Sequence, residues 1–168
     1  MAEADPRIAG IAPSAPCVSS ADRGHILRSQ LLDAFAGVEL AVAAQSARAG
    51  IVVSSTAAFS QRINALKKGK DAFHRPTAID NLATEAGEAS KLRSTVVHAE
   101  MCVAEHRRET IFIFRNVADL THARTLTEAD FKRETASLKD LAHRVGQQRL
   151  KAPVPAVPAS SSAPASPR

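Results

Sequence analysis

Four segments of this chain repeat apolar residues at the three- and four-residue spacing of an amphipathic α-helix. They span residues 24–48, 56–68, 76–98 and 127–145. Gly50 and Gly69 follow the first two segments, as is common after helix ends, and Pro76 stands at a favoured first-turn position of the third. The fourth opens with a capping box formed by Thr127 and Asp130. The sequence therefore predicts a mainly α domain, a bundle of four to five helices.

The helical pattern is interrupted between the third and fourth segments. Two apolar, β-prone runs at 101–104 and 110–114 flank a charged stretch at 105–109. This arrangement predicts one small β-hairpin. A hairpin this short needs support from the helices or from a partner.

The composition favours packed helices over a large sheet. Hydrophobic residues make up 45% of the chain, but aromatic residues make up only 4%, and all of them are Phe. A core of Leu, Val, Ile and Ala suits helix packing. The lack of Trp and Tyr removes the usual stacking platforms for single-stranded bases, which disfavours a base-stacking RNA-binding sheet.

The two ends of the chain differ from its middle. Residues 1–22 are rich in Ala, Pro and Ser without periodicity, and residues 152–168 are dominated by Pro, Ser and Ala. Such segments cannot bury a core. We expect a flexible N-terminal arm over 1–22, one helical domain over 23–151 and a disordered tail over 152–168.

Charge and cysteine usage limit the partners. The formal net charge of +5 is compatible with a phosphate-bearing partner. Cys17 and Cys102 lie far apart without metal-ligand spacing, so we expect no metal site and a reducing, cytoplasmic location. No apolar run approaches the roughly twenty residues of a membrane span, and no cofactor-binding motif is present.

Arg93 and His98 form the best candidate site in the sequence. Arginine stays charged and binds two phosphate oxygens with its planar fork, and histidine exchanges protons near neutral pH. A metal-free ribonuclease needs both functions. We therefore predict that Arg93 stabilises phosphate and that His98 transfers protons. Ser94 and the hairpin-tip residues Arg107 and Arg108 are the predicted phosphate contacts.

The spacing of Arg93 and His98 restricts how they could meet. Five residues along an ideal helix rotate a side chain by about 140° net, so the two cannot share one face of an unbroken helix. Either the helix unwinds before His98, or two chains contribute across a two-fold axis. A homodimer would also supply two histidines to one site, enough for an acid and a base.

Residues 92–98, Leu-Arg-Ser-Thr-Val-Val-His, resemble the Leu-Arg-Asn-x-x-x-His signature of HEPN-like helical proteins. The order of segments is also similar to that of small bacterial relatives, in which a helix like residues 59–68 precedes the Arg/His helix and a hairpin and a last helix follow. The resemblance implies RNA cleavage by a toxin or defence nuclease whose Arg and His meet across a dimer. Ser94 stands where that signature often has Asn, and many relatives without the full motif act as non-catalytic partners or antidotes.

Two classes of function therefore stay open. The preferred one is a HEPN-like homodimer that acts on RNA as a metal-independent endoribonuclease of a toxin–antitoxin or defence type. The alternative is a non-catalytic interaction or regulatory module that binds a protein partner or nucleic acid. An Arg followed by His at such spacing also arises by chance, and a second match, Arg115 with Asn116 and His122, ranks lower because it follows the hairpin. His74 and Arg75 are expected to form a solvated basic loop.

Overall fold

A computed structural model describes residues 19–106, 109–116 and 119–151 of the chain. Over these residues the chain is mostly helical, as predicted, and has one small antiparallel sheet. The elements in chain order are α1 Ser20–Arg48, α2 Phe59–Lys68, α3 Pro76–His98, β1 Glu100–His106, β2 Glu109–Asn116, β3 Asp119–Thr127 and α4 Glu128–Gly146. The predicted tail, 152–168, and most of the predicted N-terminal arm lie outside the described residues.

The first helix begins earlier than its apolar pattern suggests. Ser19 is its N-cap and accepts a 3.1 Å hydrogen bond from the backbone N–H of Asp22. This side-chain cap satisfies one of the amide groups that have no partner inside the helix. Helix α1 therefore starts at Ser20, four residues before the predicted start and inside the predicted arm. It ends before Gly50, which adopts a positive φ of 69°.

The third and fourth helices have the ends that the sequence predicts. Helix α3 starts at Pro76 and ends at His98. At the start of α4, the hydroxyl of Thr127 accepts from the N–H of Asp130, while the Asp130 carboxylate accepts from the N–H of Thr127. The carboxylate also accepts from the Thr127 hydroxyl, and the hydrogen bonds that it accepts from the N–H and the hydroxyl of Thr127, the backbone one first, lower the pKa of Asp130. The predicted capping box is confirmed.

The sheet has three strands in the order β1-β2-β3. The predicted hairpin is correct for β1 and β2, where Val103 pairs with Phe112. The prediction missed β3, which pairs antiparallel with β2 so that Phe112 also lies opposite Leu126. Sequence patterning did not identify β3 because its residues are mostly polar and it depends on backbone pairing with β2.

One face of the sheet packs on the helices through a cluster of phenylalanines. Phe112 and Phe114 of β2 are fully buried, and each contacts Phe131 of α4 edge to face, with ring centroids 5.5 and 5.9 Å apart. Such pairs add to the burial of a large apolar area. The main core continues between α1, α3 and α4, where Leu31, Val38 and Val96 are buried. None of the described helices has the length and apolar content that a membrane span requires.

Helix directions follow from contacts near the helix ends. The guanidinium of Arg28, near the start of α1, donates to the carbonyl of Val97, near the end of α3. Arg144, near the end of α4, binds Glu85 in the first half of α3. Helix α3 is therefore antiparallel to both α1 and α4.

Candidate functional site

His98 lies at the surface, at the end of α3. It is the last residue of an unbroken helix and its side chain is exposed. The next residue, Ala99, is buried and donates its N–H to the carbonyl of Thr95 at 3.1 Å. Because the helix continues to His98 without unwinding, the structure excludes the arrangement in which an unwound helix end brings His98 to Arg93.

Arg93 lies on a different side of the same helix. It is half-buried, and the five-residue separation turns it about 140° from His98. The neighbouring Ser94 is exposed. A single chain therefore does not bring Arg93 and His98 onto one face, and the two-copy arrangement is the one that could join them. Arg107 and Arg108, the predicted hairpin-tip contacts, lie outside the described residues.

A second arginine, which sequence reasoning missed, adjoins the end of α3. Arg28 of α1 donates a 2.8 Å hydrogen bond from Nη2 to the carbonyl of Val97. The last carbonyls of a helix have no partner within the helix, and a cation there also interacts favourably with the helix dipole. The guanidinium of Arg28 therefore binds the carbonyl of the peptide bond that joins Val97 to His98. No local pattern could have shown this, because 69 residues separate Arg28 from Val97.

The end of α3 can therefore combine two chemical properties. The guanidinium has five N–H donors, so the bond to Val97 leaves others for a phosphate oxygen. The exposed imidazole of His98 can donate a hydrogen bond to a substrate or accept one from it. His25 is also exposed and lies three residues before Arg28, on the same side of α1. It was not among the predicted site residues.

The second Arg–His match lies in the sheet. Arg115 is exposed near the end of β2 and pairs with Ala123 of β3, next to His122 in the chain. Asn116 lies where the register between β2 and β3 shifts. This match therefore has no helical context, as the sequence indicated.

Four surface clefts of about 280 to 480 Å³ are lined by residues other than Arg93 and His98. Two of them adjoin each other where the start of α3 meets the end of α4, and they share Gln147 and Gln148. Nowhere in the described part of the chain do three or more His, Cys, Asp or Glu side chains come together in a way that could hold a metal ion.

No family model matches this chain, and neither a curated protein nor a solved structure matches it significantly. The resemblance of residues 92–98 to the HEPN-like signature stays a prediction.

Proposed function

We propose that this chain is a homodimeric, HEPN-like cytoplasmic protein that acts on RNA as a metal-independent endoribonuclease. In this proposal His98 transfers protons and the Arg93 of a second copy stabilises the phosphate. The observation that carries the proposal is the exposed His98 at the end of α3, next in the chain to Val97, whose carbonyl accepts a hydrogen bond from the Arg28 guanidinium. Arg28 adds a cation that the sequence did not suggest.

The proposed reaction is transesterification within RNA. One imidazole removes the proton of a ribose 2′-hydroxyl, and the 2′-oxygen attacks the adjacent phosphorus. The bond from phosphorus to the 5′-oxygen breaks, and that oxygen takes a proton from the solvent, so one His98 imidazole and one Arg93 guanidinium complete a site. The products are a 2′,3′-cyclic phosphate and a 5′-hydroxyl end. Arginine stabilises the negative charge that develops on the phosphoryl oxygens.

Cleavage of labelled RNA in the presence of a chelator tests the proposal. We expect cyclic phosphate ends from the wild-type protein and loss of cleavage in His98→Ala. His106→Ala is the matched control, because His106 is also exposed but lies at the far end of β1. Full cleavage by His98→Ala, or dependence on added metal, would contradict the assigned role.

The dimer can be tested separately by mixing two inactive variants. If the site combines Arg93 of one copy with His98 of the other, Arg93→Ala and His98→Ala proteins regain part of the activity when they are mixed, because mixed dimers contain one intact site. Light scattering of the purified protein gives the oligomeric state. A monomer that cleaves RNA would contradict the shared site.

A second candidate function is a non-catalytic interaction module. It is favoured by the bond from Arg28 to Val97, which gives this guanidinium a structural role at the end of α3. It is also favoured by the separation of Arg93 and His98 around one helix. This function predicts a folded protein without RNA cleavage, in which His98→Ala weakens association with a partner or a second copy.

A further inference from the structure

Two basic segments that are far apart in the sequence meet beside the start of α3. Phe73 and Leu150 form an isolated antiparallel bridge. On either side of it, the N–H of His74 donates to the carbonyl of Arg149 at 3.0 Å, and the N–H of Lys151 donates to the carbonyl of Ala72 at 2.8 Å. This pairing fixes the backbone of Arg149 next to His74. Phe73 is fully buried and anchors the pair to the core.

The side chains around this bridge line a cleft of about 470 Å³. Its lining residues are His74, Arg75, Gln147, Gln148 and Arg149. Every one of them is basic or an amide, so no carboxylate competes with an anion in this cleft. A second cleft adjoins it between α3 and α4 and shares Gln147 and Gln148 with it. We call the two clefts together the basic groove.

Arg75 and Arg149, which line the first cleft of the basic groove, have no acidic partner within the described residues. Two other cations differ: Lys70 is paired with Asp80, and Arg144, which lines the adjoining cleft, is paired with Glu85 and Asp140. Arg75 is also the N-cap residue of α3, and no side chain caps this end of the helix. The positive end of the helix dipole therefore adds to the positive potential of the groove.

The adjoining cleft extends the groove between α3 and α4. It has a volume of about 480 Å³ and shares Gln147 and Gln148 with the first cleft. Its other lining residues are Ala78, Asn81, Leu82, His143 and Arg144. Amide side chains both donate and accept hydrogen bonds, so they suit base edges and ribose hydroxyls. The two clefts together exceed what one phosphate group would occupy, which favours an extended polyanion.

We propose that the basic groove binds the phosphodiester backbone of single-stranded RNA, with Arg75 and Arg149 as phosphate contacts and the amides facing the nucleosides. The identity of the ligand rests on the proposed function, but the surface is a different one. Helix α3 has 23 residues, so the groove and His98 lie at opposite ends of a helix about 34 Å long. The groove is therefore an anchoring surface and takes no part in proton transfer.

The test measures RNA binding by the full chain with Arg75→Gln and Arg149→Gln combined. Fluorescence anisotropy with a labelled single-stranded RNA is recorded between about 50 and 200 mM salt. We expect the Kd of the double variant to rise about five- to tenfold, and its salt slope to fall by about 1.4 for two lost contacts to a single strand. The matched control is Lys132→Gln with Arg133→Gln, which removes equal charge at the other end of α4.

The outcomes distinguish binding in the groove from binding by net charge. Loss of affinity in the groove variant but not in the control supports the proposal. Equal losses in both would show that binding follows net charge alone, and no loss in the groove variant would place the RNA elsewhere; either result overturns it. Displacement of RNA by a mononucleotide at comparable concentration would assign the groove to a free phosphate ligand instead. Equal affinity for single-stranded DNA would overturn the assignment to RNA.

The binding assay is also run in a His98→Ala background, so that the RNA is not cut. Intact groove binding in a protein that never cleaves RNA would contradict the proposed nuclease but support the groove. Cleavage that persists while the groove variant binds RNA normally would contradict only the groove. The failures of the two proposals are thus distinguishable.

Discussion

The side-chain amide of Gln45 donates a 2.6 Å hydrogen bond to the carbonyl of Gly146, which joins the last turn of α1 to the last residue of α4. At the other end, Arg23 of α1 forms a 2.6 Å salt bridge with Glu128, the first residue of α4. The two helices are therefore parallel along their packed length. Parallel neighbours need a long connection, and α2, α3 and the sheet provide it.

Gln45 and the adjacent Ser46 should respond in opposite ways to alanine. Gln45 is 2% exposed and donates to the carbonyl of Gly146. Because Gln45→Ala leaves this carbonyl without its partner, it should reduce the free energy of unfolding by about 1–3 kcal/mol. Ser46 is buried and its hydroxyl makes no hydrogen bond within the described residues. Ser46→Ala should therefore leave stability unchanged or raise it by up to about 1 kcal/mol. Urea denaturation measures both, and a large loss in Ser46→Ala would contradict the assignment.

Two helical glycines provide a second matched pair. A Cβ at Gly24 of α1 would lie 2.7 Å from Cε1 of Phe112 and 2.9 Å from Cε of Met101. We expect Gly24→Ala to destabilise the fold by about 1–3 kcal/mol through overpacking against the sheet. A Cβ at Gly87 of α3 would meet nothing within 4 Å, so Gly87→Ala should stabilise by about 0.8–1 kcal/mol. Thermal melts of both variants check the two signs, and equal effects would contradict this packing.

The salt bridge between Arg23 and Glu128 should make the stability of the fold depend on pH in the acid range. Hydrogen bonds from Arg23, and then from Lys132, lower the pKa of Glu128 from 4.5 to about 2. Because the pKa is lower in the folded state, the stabilisation is complete above pH 4.5 and is lost as the pH falls from there towards 2. Both side chains are partly exposed to solvent, which screens the pair, so its contribution to stability is small.

Glu128→Gln tests this dependence. The variant should be slightly less stable than the wild type at neutral pH, and the difference should disappear near the pKa of about 2. It should also shrink in high salt. Asp33→Asn, on the exposed side of α1, is the control carboxylate. If the loss of stability in Glu128→Gln stays constant from neutral to acid pH, the negative charge of Glu128 is not what stabilises the fold.

Removal of the Arg28 side chain should loosen the end of α3. Arg28→Ala leaves the carbonyl of Val97 without its 2.8 Å hydrogen bond, and we expect a loss of about 1–2 kcal/mol. Amide hydrogen exchange of Ala99, which donates to Thr95, should become faster. Gln30→Ala, exposed on α1, should leave this exchange unchanged. Unchanged exchange in Arg28→Ala would show that the arginine does not secure the helix end.

The parts of the fold that the sequence predicted are those with local signals. Pro76 marks the start of α3, and Thr127 with Asp130 marks the start of α4, because these residues act on the nearest turns of backbone. The start of α1 was missed although Ser19 caps it. The sequence before Ser19 is rich in small residues and Pro, so a single Ser did not stand out as a helix start.

The parts that could not be predicted depend on distant pairing. Strand β3 exists because β2 offers it a backbone edge, and its polar sequence carries little signal of its own. Arg28 reaches α3 across 69 residues. His74 and Arg75 were expected to be an ordinary solvated loop, and only the bridge from Phe73 to Leu150 brings Arg149 beside them. Single-sequence patterns describe neighbours along the chain, whereas these contacts join residues that are far apart in it.

The parallel pairing of α1 with α4 has a consequence for how the protein is made. During translation the whole of α1 leaves the ribosome well before residues 128–146 have been synthesised. The apolar side of α1 is then not yet covered by α4. A nascent chain with exposed apolar surface is prone to misfolding and aggregation. A polypeptide that ends ahead of α4 lacks Phe131, Leu138 and Leu141, which are buried in the complete core.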